Sequence, residues 1–170
     1  MERKDLLELL VKKNLTLSCM ESLTGGLFAS TFTSIPGASQ VFLGGAVTYQ
    51  DKVKEEFGVS ESIVKQYGAI SKECAKEMAL NASLFFDSDV AVSFTGNAGP
   101  DAQEGKPVGL VYIGIKVKNA VSVYELHLTG ERNFIRRQCV DFAFEKLIEK
   151  ISALDGTKNV LQDNISNEKE

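Results

Sequence analysis

A serine and a lysine carry the sharpest chemical signal in this chain. Ser22 lies in Glu21-Ser22-Leu23-Thr24-Gly25-Gly26, between an apolar run and a stretch of helical character. A helix start offers unpaired N–H groups and the positive end of the helix dipole. Gly25 and Gly26 let a ligand approach the backbone. Such a turn can hold a phosphate or the oxyanion of acyl transfer; it can equally be a capped helix start that binds nothing. It is not a Walker-type phosphate loop, because the Gly-Lys-Ser/Thr ending is absent.

A serine nucleophile needs a base. The single histidine, His127, sits in the alternating run AVSVYELHL, away from every glycine-rich turn. It reads as a structural or surface residue, which argues against a histidine triad and against a histidine-rich metal centre. Lysine is the next choice, but it must be neutral to accept a proton, and burial or nearby positive charge brings that about. Lys54 falls in the first turn of a short helix with Asp51 as its expected N-cap, where the helix dipole disfavours a positive charge. Lys52 could add like-charge repulsion. The alternative is a solvated lysine on a polar helix. Tyr49, one short loop away, could relay a proton or simply pack with its hydroxyl in water.

Two further segments supply polar groups. Thr95-Gly96-Asn97-Ala98-Gly99-Pro100-Asp101 offers a hydroxyl and exposed amides, with Asp101 either fixing the turn or meeting a ligand. Near the start of the last helix, Arg132 and Arg136 are one turn apart on one face. They could grip a phosphate, bind a carboxylate of a neighbouring subunit, or form a solvated basic face.

The elements that must position these groups follow from periodicity. Residues 5–13 carry leucines at amphipathic helical spacing, 15–21 read as a strand, and 24–35 as a helix that stops before Pro36. Residues 42–49 form a second strand, in which Gly44 and Gly45 suggest close backbone approach. Three helical stretches follow, two of them with Ser60 and Ser71 as expected caps. Residues 89–96 have the continuous apolar character of a buried strand, and 97–107 are rich in turn residues. Two strands flank Lys118-Asn119 as a hairpin, and a long helix ends the pattern. Early strand–helix alternation and a later hairpin predict a mixed sheet flanked by helices. Ligands in such sheets bind beyond the carboxyl ends of strands, so parallel early strands would bring the three polar loops together.

Bulk properties bound the function. A length of 170 residues suits one domain, expected over 1–154, with a polar, mobile tail over 155–170. A net charge of −4 argues against direct nucleic-acid binding. Cys19, Cys74 and Cys139 are odd in number and widely spaced, as reduced, buried thiols would be. The N-terminus lacks a signal peptide's apolar core, and no run approaches the ~18 apolar residues of a membrane span. A cytoplasmic protein without membrane contact is expected.

In this order, these segments resemble the CinA C-terminal domain family, which is named for competence- and damage-inducible protein A and includes stand-alone nicotinamide-nucleotide amidases. The resemblance rests on Glu21 to Gly26, on Val47-Thr48-Tyr49 with Lys54 five residues on, and on Gly68-Ala69-Ile70-Ser71. It continues through Thr95 to Asp101, Lys106-Pro107-Val108-Gly109, and Gly130-Glu131-Arg132 with Arg136-Arg137. It implies a three-layer α/β/α domain that self-associates and hydrolyses the carboxamide of nicotinamide mononucleotide, with no metal and no cofactor. Carried over, Ser22 is the nucleophile, Lys54 its base, and Tyr49 an aid to proton traffic or substrate orientation. Thr24, Gly25 and Gly26 belong to the oxyanion turn, Thr95 and Gly96 line the substrate pocket, and Arg132 or Arg136 meets the phosphate. Glu21 would be a candidate wall for the cationic pyridinium ring. The chain departs from the family at Leu23, where cysteine is usual, at Gln50-Asp51, where Ser-Asn is usual, and at Asn97, where an aliphatic residue is usual. Many family members carry a larger N-terminal hydrolase domain, for which this chain has no room. The alternative to an amidase is a non-catalytic nucleotide-binding or regulatory module related to competence or the DNA-damage response.

Overall fold

The computed structural model describes the backbone of residues 2–167 and the side chains of residues 2–154. Five strands form one mixed sheet in the order β2-β1-β3-β4-β5. They are β1 (Leu17–Glu21), β2 (Phe42–Val47), β3 (Val90–Gly96), β4 (Leu110–Val117) and β5 (Ala120–His127). β2, β1 and β3 run parallel, while β4 and β5 return antiparallel. The first three strands therefore end together, as the expected meeting of the polar loops requires.

Helices cover both faces. On one face lie α1 (Arg3–Lys13), α2 (Leu27–Thr33) and α6 (Arg132–Asn167), and on the other α3 (Asp51–Glu56), α4 (Glu61–Tyr67) and α5 (Lys72–Phe86). The period-two alternation of strand side chains divides the core. Leu17, Cys19, Val90, Val92 and Phe94 pack with Phe28, Phe32, Ile135 and Phe144. Met20 and Ala91 pack with Cys74, Met78 and Ala82. The α5 face is built from small groups, so the helix lies close to the sheet. A Cβ at Gly114 would stand 2.6 Å from the carbonyl oxygen of Ala75, and Ser93 donates to that same carbonyl at 2.6 Å. Side chains beyond residue 154 lie outside the described residues, while the backbone of α6 runs on to Asn167, across most of the segment expected as a polar tail.

Two expected helix starts move and two hold. Gln50, not Asp51, occupies the N-cap of α3. Ser71 caps α5 by accepting from the amide of Cys74, and Ser60 holds the expected N-cap position of α4 but spends its hydroxyl on the carboxylate of Glu77. α2 begins at Leu27 rather than residue 24, because Gly25 and Gly26 hold positive φ angles of 56° and 101°. A side chain there would be strained.

Candidate active site

Ser22 follows the last residue of β1 and is nearly buried. Lys54, from α3, is only 1% exposed. Its Nζ lies 3.0 Å from Ser22 Oγ, 2.7 Å from the carbonyl oxygen of Thr48 and 3.0 Å from that of Tyr49. Both carbonyls belong to the chain leaving β2, so the parallel β1–β2 pairing sets the reach of the amine to the serine. Three acceptors match the three N–H bonds of an ammonium. A neutral amine keeps two donors for the carbonyls and turns its lone pair to the serine hydroxyl. The same heavy-atom positions thus serve both protonation states. When Lys54 is charged, the Ser22 hydroxyl can turn to the carbonyl of Tyr49, 3.4 Å away.

Burial pushes the pKa of Lys54 below the ordinary lysine value of 10.5, while the carboxylates of Asp51 and Glu104 pull it partly back. Neither Lys52 nor another cation contributes, so the expected like-charge repulsion is replaced by desolvation. The Cys74 thiol is itself pushed up to about 12 by burial and remains neutral beside the amine.

The expected anion site at the helix start is filled from within. The Glu21 carboxylate accepts from the amides of Phe28 at 2.8 Å and Ala29 at 3.1 Å. Glu21 is buried and caps α2; it forms no wall for a ligand. The Ser22 amide donates to the carbonyl of Phe94 and the Gly25 amide to that of Ser22. The amides of Leu23, Thr24 and Gly26 have no acceptor among the described residues. In a trans peptide N–H and C=O point opposite ways, so the Leu23 amide faces away from the Ser22–Gly25 bond. It belongs to the residue after the nucleophile, a recurring source of an oxyanion donor.

A small polar cavity of about 70 Å³ opens onto these groups, lined in part by Ser22, Leu23, Tyr49, Gly96, Asn97 and Arg132. Arg132 ties its rim together, donating to the carbonyl of Gly99 at 2.7 Å and to the Tyr49 hydroxyl at 2.8 Å. The Tyr49 phenol therefore points to Arg132, and the residue reaches the serine–lysine pair through its carbonyl.

Other expected site residues stand elsewhere. Thr95 is buried and donates to the carbonyl of Ala69, so it does not line the cavity. Arg136 faces the serine loop from behind, donating from Nε to the carbonyl of Leu23 at 3.0 Å and from Nη2 to that of Thr24 at 2.9 Å. Thr24 is fully buried, and its hydroxyl and that of Thr48 lack a partner among the described residues. Gly25 and Gly26 shape the turn; a Cβ on Gly25 would come within 3.3 Å of Arg136. His127 pairs with Glu125 on β5, at the far edge of the sheet.

Sequence reasoning missed four contributors. Gln103 lines the cavity from a loop whose path no periodicity foretells. Asn97 organises that loop, accepting from the amide of Gly99 and donating to the carbonyl of Lys106. The Glu104 carboxylate accepts from the amide of Ile70, and Lys106 Nζ donates to the carbonyls of Tyr67 and Ile70. These contacts anchor the loop to the Gly68–Ser71 segment. Among the described residues no three His, Cys, Asp or Glu side chains gather as a metal site would need. No helix among them is long and apolar enough to cross a membrane.

Comparison with known proteins agrees with this architecture. A profile described as the CinA C-terminal domain matches residues 2–151. Relatives named competence-damage inducible protein include one from Bacillus thuringiensis, 43% identical over 150 residues, which are 87% of this chain and 36% of that protein. One from Geobacillus is 44% identical over 152 residues, 88% of this chain and 36% of that protein. The chain thus spans about a third of the length of these relatives. Among solved structures, a CinA superfamily protein from Escherichia coli superposes with a TM-score of 0.84 at 30% identity, covering 86% of each chain. The competence/damage-inducible protein CihA of Agrobacterium tumefaciens superposes with a TM-score of 0.79 at 36% identity, covering 85% of this chain and 94% of that one. With a matching profile over nearly all of its folded length, the chain belongs to the CinA C-terminal domain family.

Proposed function

We propose that this chain is an amidohydrolase that converts nicotinamide mononucleotide and water to nicotinic acid mononucleotide and ammonia. The observation that carries the reading is the buried amine of Lys54, 3.0 Å from the hydroxyl of Ser22 and held by two carbonyls. A lysine desolvated in this way is a general base, and a serine beside it a nucleophile.

The carboxamide enters the cavity, and the rest of the nucleotide lies along its rim. Neutral Lys54 takes the proton of Ser22 as Oγ bonds to the amide carbon. The carbonyl oxygen becomes an oxyanion facing the Leu23 amide. Protonated Lys54 then gives its proton to the nitrogen, the C–N bond breaks and ammonia leaves. Water repeats the sequence on the acyl-serine: Lys54 takes a proton from water, hydroxide adds, and the proton returns to Ser22 as the acid departs. Each oxyanion donor of this kind contributes about 2.7–4 kcal/mol. Arg132 keeps donors beyond its two protein bonds and stands where the phosphate would lie. The family membership supports the reading, and no metal or cofactor takes part in it.

The test is ammonia release from nicotinamide mononucleotide, with chelator present, by wild type, Ser22→Ala and Lys54→Ala. The expected result is release by wild type and none by either folded variant. No release by folded wild type would turn the reading to a nucleotide-binding module or another amide. Undiminished release by Ser22→Ala would remove the nucleophile.

A further inference from the structure

The Leu23 amide offers one donor for the oxyanion of acyl transfer, and such sites are commonly built from a pair of donors. A second donor has to line the same cavity, stay out of bulk water and hold one orientation. Most polar side chains around the cavity fail one of these conditions. Ser22 is the nucleophile. Arg132 and the Tyr49 hydroxyl bind each other at the rim. The Gln103 side chain lines the cavity but is exposed, so water serves its amide.

Asn97 meets all three. It lines the cavity and is only 2% exposed. Its main chain is spent: the amide donates to the carbonyl of Leu110 at 2.9 Å, and the carbonyl accepts from Gly109 at 2.7 Å. Its side-chain amide is pinned from both ends. Oδ1 accepts from the amide of Gly99 at 3.1 Å, and Nδ2 donates to the carbonyl of Lys106 at 3.3 Å. A flipped amide would set donor against donor at Gly99 and acceptor against acceptor at Lys106. The NH2 group has two N–H bonds, and only one is used. The other has no acceptor among the described residues. A buried donor left unpaired costs about 1–3 kcal/mol, so a substrate acceptor in the cavity gains by meeting it.

We propose that this N–H of Asn97 points into the cavity and donates to the carbonyl oxygen of the substrate carboxamide, opposite the Leu23 amide. The assignment rests on the amidohydrolase reading above. As Ser22 Oγ bonds to the amide carbon, the π electrons of the carbonyl move to its oxygen. The new charge then lies between a backbone donor and a buried side-chain donor. Both are held in place before substrate arrives, so little reorganisation accompanies the step. Asn97 thereby has two tasks. Oδ1 and one N–H shape the loop, and the other N–H touches the reacting group.

The first readout is ammonia release from nicotinamide mononucleotide by wild type, Asn97→Leu and Asn97→Asp, with circular dichroism and thermal melting as checks of folding. Leucine keeps the branched shape and removes every polar atom. Aspartate keeps the acceptor for Gly99 and removes both donors. In either variant kcat should fall by about 10²-fold. A loosened loop would also lower kcat, so binding to the inactive Ser22→Ala protein separates the two causes. There, each substitution should weaken nicotinamide mononucleotide by roughly 3- to 10-fold relative to the same nucleotide with hydrogen in place of the carboxamide. A loop effect alone would weaken both alike. The side-chain amide resonance of Asn97 needs no substitution at that position. In Ser22→Ala it should shift with the carboxamide nucleotide and stay in place with the other. No release by wild type would end the amidohydrolase reading and this assignment with it. Release by wild type with kcat little changed in the folded variants, equal weakening of both nucleotides, or an unmoved Asn97 resonance would each overturn the assignment alone.

Discussion

Either Arg132 or Arg136 was expected to meet a phosphate, but the position of Arg136 makes it a brace for the nucleophile loop, and the two roles separate experimentally. Its guanidinium spans the carbonyls of Leu23 and Thr24 at 3.0 and 2.9 Å, and its third bond, to Asn133 Oδ1 at 3.0 Å, leaves it facing α6 rather than the cavity. Holding the Leu23 carbonyl fixes the plane of the next peptide and so restrains the unpaired amides of the turn. Bonds from a charged donor contribute roughly 1.5–3 kcal/mol each. Water can replace part of that at this half-buried site, so Arg136→Ala should lower stability by about 2 kcal/mol. If one oxyanion donor loses its alignment, kcat falls by up to about 10²–10³-fold. Ammonia release should be followed with nicotinamide mononucleotide and with the phosphate-free riboside. The expected outcome is a loss of kcat by a similar factor for both substrates with little change in KM. Arg132→Ala should instead raise KM for the mononucleotide alone. A rise in KM confined to the mononucleotide in Arg136→Ala, with kcat intact, would refute the brace and return that arginine to the phosphate.

The proton traffic should show in pH. Because neutral Lys54 is the active form, kcat/KM should rise by about tenfold per unit at low pH and level off at a midpoint below 10.5; a profile without that limb would remove Lys54 as the base. The folded pKa is depressed, so between it and 10.5 the unfolded chain binds the extra proton, and stability relative to Lys54→Met should increase with pH through that window. Urea midpoints of both proteins at pH 7 and 10 measure this, and a constant difference would mean that the amine is not desolvated. Gly114→Ala should cost about 1–3 kcal/mol, read by thermal melting, because its methyl meets Ser93 Oγ and the Ala75 carbonyl at 2.5 and 2.6 Å; an unchanged melting temperature would contradict the close seat of α5.

Much of the architecture was legible in the residues. The apolar run of β3, the hairpin at Lys118-Asn119 and the leucine spacing of α1 are local patterns, and local patterns survive folding where the core agrees with them. Ser22 and Lys54 could be named because serine beside a glycine turn and lysine in a helix's first turn are unusual placements for chemistry that lacks a histidine. Their contact, across 32 positions of sequence, depends on β1 and β2 pairing in parallel, and spacing alone holds no record of that.

What the tertiary structure decided was the assignment of hydrogen-bond partners. The sequence placed Glu21, Thr95, Tyr49 and Arg136 in the right segments, but a polar side chain has several possible acceptors until the chain closes around it. Folding commits Glu21 to the amides of α2, Thr95 to Ala69, the Tyr49 hydroxyl to Arg132 and Arg136 to the serine loop. It leaves the Lys54 amine beside Ser22 in a site whose burial lowers its pKa. Residue types thus determined which chemistry was available. Burial decided which groups keep it, because a group shut away from water must take the partner that the fold supplies.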